Sequence, residues 1–84
     1  PAEHLQFKRI EAEEMPFEFM MNALRLNQGV EARLYTERTG QHLDALQALL
    51  SSLRDRKLML DDQNRLACTE QGHIFLNSVL EEFL

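Results

Sequence analysis

Five leucines, Leu43, Leu46, Leu49, Leu50 and Leu53, recur at three- and four-residue intervals and lay one apolar stripe along residues 42–57. That spacing predicts an amphipathic helix, with Asp44, Gln47, Ser51 and Arg54 largely off the stripe. Arg56 and Lys57 stand at its C-terminal end, where the helix dipole favours cations. A helix with a single apolar stripe must be covered by its neighbours, and Leu49 and Leu53 are predicted core residues.

The flanking segments supply the cover. Leu58-Met59-Leu60 reads as a strand and Asp61-Asp62-Gln63-Asn64 as turn chemistry. A second strand follows, with Leu66 and Cys68 on one face and Arg65 and Ala67 on the other, so the pair predicts a β-hairpin. Thr69 suits the N-cap of a last helix lined by Ile74, Phe75, Val79, Leu80 and Phe83. Gly72 within its first turn costs about 1 kcal/mol relative to Ala, which points to close packing there or to a fraying end.

Ahead of the stripe, residues 2–12 read as a weakly amphipathic helix anchored by Leu5 and Ile10, with Phe7 on a neighbouring face. Met15-Pro16 breaks it, since the residue before proline is pushed out of the α region. Pro16 then fits the first turn of a second helix, along which Phe17, Met20, Met21 and Leu24 fall at helical spacing until Asn27-Gln28-Gly29. Val30, Ala32 and Leu34 alternate with Glu31 and Arg33, the pattern of a short half-buried strand. Thr36 is placed to cap one short turn through Arg38, closed near Gly40. Helix-turn-helix followed by a hairpin predicts a mainly α, winged-helix-like fold. One domain is expected over residues 1–84, with a leading helix at 1–14 and the winged-helix-like module at 15–84.

Composition narrows the function. The chain has one cysteine, Cys68, which excludes an internal disulfide framework and an iron–sulfur cluster or multi-cysteine zinc site held by this chain alone. Its net charge of −5 is the wrong sign for a nucleic-acid binder, and the predicted wing carries Asp61 and Asp62 where phosphate contacts would need Lys or Arg. No apolar run reaches the roughly 18–20 residues of a membrane span. The opening Pro-Ala-Glu-His shows no signal-peptide pattern, so a soluble, cytoplasmic setting is expected.

The segment Pro16-Phe17-Glu18-Phe19-Met20-Met21-Asn22-Ala23-Leu24-Arg25-Leu26 resembles the C-terminal domain of the oxygen-independent coproporphyrinogen III oxidase family, radical S-adenosylmethionine proteins of haem metabolism. The resemblance continues through Glu37-Arg38-Thr39-Gly40 and Leu58 to Thr69-Glu70-Gln71-Gly72 and Phe75-Leu76-Asn77, covering residues 15–84. Pro-Phe-Glu-Phe and Phe-Leu-Asn look closest to the oxidase-like branch regarded as haem chaperones. The residues that carry it, Phe17, Glu18, Phe19, Asn22, Arg25, Arg38, Gly40, Thr69 and Gly72, are expected to be structural.

The resemblance implies a parent protein with an N-terminal barrel, where a Cys-x-x-x-Cys-x-x-Cys motif binds a [4Fe–4S] cluster that cleaves S-adenosylmethionine. Neither that motif nor the His-Asn motif of the chaperone branch stands in this chain. The implied role is therefore a non-catalytic accessory module, without catalytic residues or cofactor of its own. It would pack on the barrel of the same polypeptide and help to cover a tetrapyrrole site. The competing class is a small acidic winged-helix regulator or protein-interaction adaptor.

Few residues stand out as chemical groups. His4, His42 and His73 are scattered over three predicted helices; His73 is retained as a candidate axial haem ligand, against the prevailing reading of solvated or partly buried histidines. Cys68 and His73 form a lone Cys/His pair, too few ligands for a metal, so no metal site is expected. Arg25, Arg33 and Arg38 are candidates to pair with porphyrin propionates if they converge; otherwise Glu18, Glu31 and Glu37 are their natural partners. Finally, the second helix has more apolar residues than one stripe holds. Phe19, Ala23 and Leu26 spread around its side, so Phe19 or its neighbours are expected to be partly exposed and available for docking.

Overall fold

The computed structural model describes residues 12–84. A single 3-10 turn, Ala12–Glu14, leads into helix α1 (Met15–Ala23), with Pro16 in the first turn. The predicted leading helix at 2–12 lies outside the described residues, apart from Ala12 in this turn. Turns follow Ala23 up to Gly29, whose φ of 64° lies in the left-handed region. A Cβ at Gly29 would overlap the Leu66 carbonyl oxygen and lie 2.5 Å from the Ala67 Cβ. Glycine is thus required here by both its dihedral angle and the close passage of residues 66–67.

Strand β1 (Val30–Glu31) pairs antiparallel with β2 (Arg65–Leu66), setting Val30 opposite Leu66 and Glu31 opposite Arg65. On the other side of this segment, Met59 and Cys68 form an isolated antiparallel bridge, and the Leu60 amide donates to the Ala67 carbonyl at 2.9 Å. The expected hairpin is thus reduced to one bridge plus its flanking bond, and the two-stranded sheet joins β1 to β2 across the chain.

The alternation at 30–34 does not extend the strand. The Ala32 amide donates to Asn64, and helix α2 (Arg33–Thr39) begins at the next residue. Five alternating residues also fit a strand running into a helix, because Leu34 and Arg38, and Tyr35 and Thr39, are four apart. Thr36 lies inside α2 rather than capping it. Gly40 ends the helix at φ 74°, its amide bonded to the Thr36 carbonyl at 2.9 Å.

The leucine-striped segment starts as a 3-10 turn, Leu43–Leu46, and continues as helix α3 (Gln47–Asp55). Leu50 and Leu53 are fully buried, whereas Leu43, Leu46 and Leu49 are half-buried. Arg54, expected off the stripe, is only 8% exposed. Its Nε donates to the Leu60 carbonyl at 3.2 Å and its Nη2 to the Asp62 carbonyl at 3.3 Å, so it ties the 60–62 turn to α3. Lys57, at φ 64°, reverses the chain after α3, and the Leu58 amide returns to the Leu53 carbonyl at 2.9 Å.

The last helix is two: α4 (Glu70–Ile74) and α5 (Leu76–Glu81), interrupted at Phe75. Thr69 caps α4, its Oγ1 accepting from the Gly72 amide at 3.0 Å. The interruption shifts the buried face, so Ile74 and Phe75, expected to line the helix, are 72% and 51% exposed, while Val79, Leu80 and Phe83 are buried. Arg56 clasps Glu82 with two bonds of 2.9 and 2.7 Å, fastening the end of α3 to the C-terminal turn. One core results, in which Met20, Leu24, Tyr35, Leu50, Leu53, Met59, Leu66, Cys68, Val79, Leu80 and Phe83 form a single cluster. The architecture is mainly helical with a two-stranded antiparallel sheet. No helix among the described residues is long and apolar enough to cross a membrane.

Candidate functional site: an open groove between α1 and α2

Helix α1 spends Met20, Ala23 and the following Leu24 on the core. Phe17 and Met21 are half-buried against the same core, and another side of the helix borders an open groove of about 350 Å³ shared with α2. Phe19, Ala23 and Leu26 contribute from the α1 side, Val30 and Leu34 from the chain leading into and along α2. Phe19 is half-buried, held edge-on to Tyr35 with ring centroids 5.2 Å apart and planes at 85°. Leu26 is 50% exposed. The polar members are Glu18 and Asn22 on α1 and Arg38 and Thr39 on α2. Asn22 donates to the Glu18 carbonyl at 3.1 Å, and the Thr39 hydroxyl is engaged by the Tyr35 carbonyl at 2.6 Å.

The three arginines do not converge. Arg33 is held by Glu31 at 2.7 Å and Glu37 at 2.6 Å, and hydrogen bonding to Glu37 and then Glu31 raises its pKa. Arg25 is exposed and lies off the groove. Arg38 alone reaches the groove. Of the other motif residues, Glu18, Phe19 and Asn22 meet Arg38 there, while Phe17 is half-buried against the core. Gly40, Thr69 and Gly72 serve helix ends elsewhere.

Groups suited to metal or cofactor chemistry are dispersed. Among the described residues, no three His, Cys, Asp or Glu side chains are grouped to hold a metal ion. Cys68 is buried in the core, which pushes its thiol pKa up to about 11, so it is a poor thiolate ligand. A radical S-adenosylmethionine cluster needs three convergent cysteines, and the residues present do not fit one. His73 is half-buried with its Nε2 enclosed and without a hydrogen-bond partner, so that atom is not presented to a ligand at the surface. His42 is exposed at the start of the 3-10 turn, and His4 lies outside the described residues. The basic end of α3 is consumed internally, Arg54 by the 60–62 turn and Arg56 by Glu82.

Arg54 is the residue that reading the stripe missed. Its signal was its place four residues after Leu50, on the edge of the buried face.

A family profile described as HemN C-terminal domain matches residues 10–75. A curated relative, "Heme chaperone HemW" of Haemophilus influenzae, is 30% identical over 92% of this chain and 20% of that protein. Another of the same name, from Escherichia coli, is 33% identical over 89% of this chain and 20% of that protein. The chain thus spans about one fifth of the length of the curated relatives it matches. No solved structure matches it significantly.

Proposed function

The chain belongs to the HemN C-terminal domain family, on its haem-chaperone branch, and from that premise we propose that it is a non-catalytic C-terminal module of a longer radical S-adenosylmethionine protein. In this reading residues 1–84 form one accessory domain of a cytoplasmic protein that transfers haem rather than oxidising coproporphyrinogen. The module packs on the catalytic barrel of its own polypeptide and helps to cover the tetrapyrrole site. The [4Fe–4S] cluster and S-adenosylmethionine belong to the barrel, because this chain has only Cys68 to offer. Winged-helix-like topology is part of the same proposal. It is supported by the order β1, α2, α3, the Met59–Cys68 bridge and β2, in which two helices precede a hairpin-like return.

The observation that carries the docking role is the groove. Glu18, Asn22 and Arg38, all within the segments that resemble the family, line an open groove beside the half-buried Phe19 and the half-exposed Leu26. An exposed large apolar side chain such as Leu26, set in a groove with a half-buried aromatic and polar rims, fits a surface meant to be covered. The test is to express the full reading frame that carries this chain, with and without residues 12–84, and reconstitute both with iron and sulfide. The cluster should load in both forms, whereas haem retention should fall in the deletion. A cluster on the isolated chain, or unchanged haem retention in the deletion, contradicts the proposal.

A further inference from the structure

Resting on that docking role, we infer that the α1–α2 groove receives a helix from the catalytic part of the same polypeptide, whose carboxylate pairs with Arg38 while an apolar side chain packs on Phe19 and Leu26. Two arginines on α2 make the contrast. Arg33 is gripped by two carboxylates, at 2.7 and 2.6 Å. Arg38, five residues on, lines the groove and has no ion pair among the described residues. Across the groove, Glu18 is similarly free, and no ion pair joins it to Arg38. The groove therefore keeps opposite charges on its two walls, unjoined, beside an apolar floor.

That pattern specifies an occupant. A volume of about 350 Å³ accepts one or two large side chains rather than a folded lobe. A helix laid between two helices delivers them at regular spacing, the usual way an apolar groove is filled. On the α2 side it needs a carboxylate, which a guanidinium holds with two parallel hydrogen bonds. On the α1 side it needs a cation or donor for Glu18. The source is intramolecular, because the curated relatives carry four fifths of their length outside the matched segment. Covalent connection raises the effective concentration of such a partner and adds to the affinity that the ion pair and the apolar contact supply.

Hydrogen exchange on the full reading-frame product, against residues 1–84 alone, reads the cover directly. Amides of α1 and α2 should exchange about tenfold more slowly in the full product, and Arg38→Glu should abolish that difference while Arg25→Glu keeps it. In parallel, Arg38→Lys treated with a zero-length carbodiimide should yield an amide link from position 38 to an Asp or Glu outside residues 1–84 of the same molecule. Absence of extra protection in the unsubstituted full product overturns both the docking role and this inference. Protection that survives Arg38→Glu, or a link to a second copy, leaves docking in place and overturns the role of Arg38.

Discussion

Gly72 lies against the Leu58 carbonyl: a Cβ at Gly72 would overlap that oxygen and sit 2.9 Å from its carbon. The same carbonyl accepts the Thr69 amide at 3.1 Å, so helix α4 and the bridge strand share one contact point. Two effects oppose each other in Gly72→Ala. Alanine gains about 1 kcal/mol of helix propensity, and overpacking against rigid backbone costs about 1–3 kcal/mol or more. The overlap is with backbone and cannot be relieved by a rotamer change, so the substitution should destabilise by about 2 kcal/mol in urea denaturation. A stabilised variant would mean that the two segments separate at no cost.

Leu50→Ala and Leu53→Ala should each cost about 2–5 kcal/mol, since both side chains are fully buried in the single cluster. Leu49→Ala, from a half-buried position, should cost about 1–2 kcal/mol. Equal losses at all three positions would contradict the shallower burial of Leu49 relative to Leu50 and Leu53.

Arg54→Met keeps the aliphatic stem and removes the bonds to the Leu60 and Asp62 carbonyls. A loss of about 1.5–3 kcal/mol is expected, with faster hydrogen exchange at Leu60 and its neighbours. Exchange that stays as slow as in the parent would show that the 60–62 turn is held by other means.

Burial raises the Cys68 pKa from 9.0 to about 11. The folded state therefore keeps the thiol proton after the unfolded chain has lost it, and the stability this group contributes is lost as pH rises from 9 to 11. Cys68→Ala should flatten part of that alkaline decline. At pH 8.5, iodoacetamide should alkylate the native thiol far more slowly than the urea-unfolded one, and equal rates would place Cys68 at the surface.

Much of this fold is legible in the sequence where a pattern is long or chemically distinctive. The leucine stripe, the Thr69 cap and the stop at Gly40 each have one physical meaning. Short patterns misled. Val30 to Leu34 alternates over only five residues, and α2 takes over after two of them because Arg33 and Tyr35 find helical neighbours at Glu37 and Thr39. The break at Phe75 left no proline or glycine as a sign, so Ile74 and Phe75 read as part of one continuous buried face. Half of the groove was legible: surplus apolar residues on the second helix pointed to Phe19 and Leu26. The other wall depends on α2 being a helix, which is what brings Leu34, Arg38 and Thr39 alongside one another.

The proposed docking role is read by association in trans. Residues 1–84 should be titrated calorimetrically into the remainder of their own reading frame, produced separately. Saturable one-to-one binding is expected, weakened about tenfold or more by Leu26→Asp at the exposed edge of the groove, with the thermal melt of the chain itself unchanged. No heat of binding at concentrations near 100 micromolar, about the level of a weak interface, would contradict it.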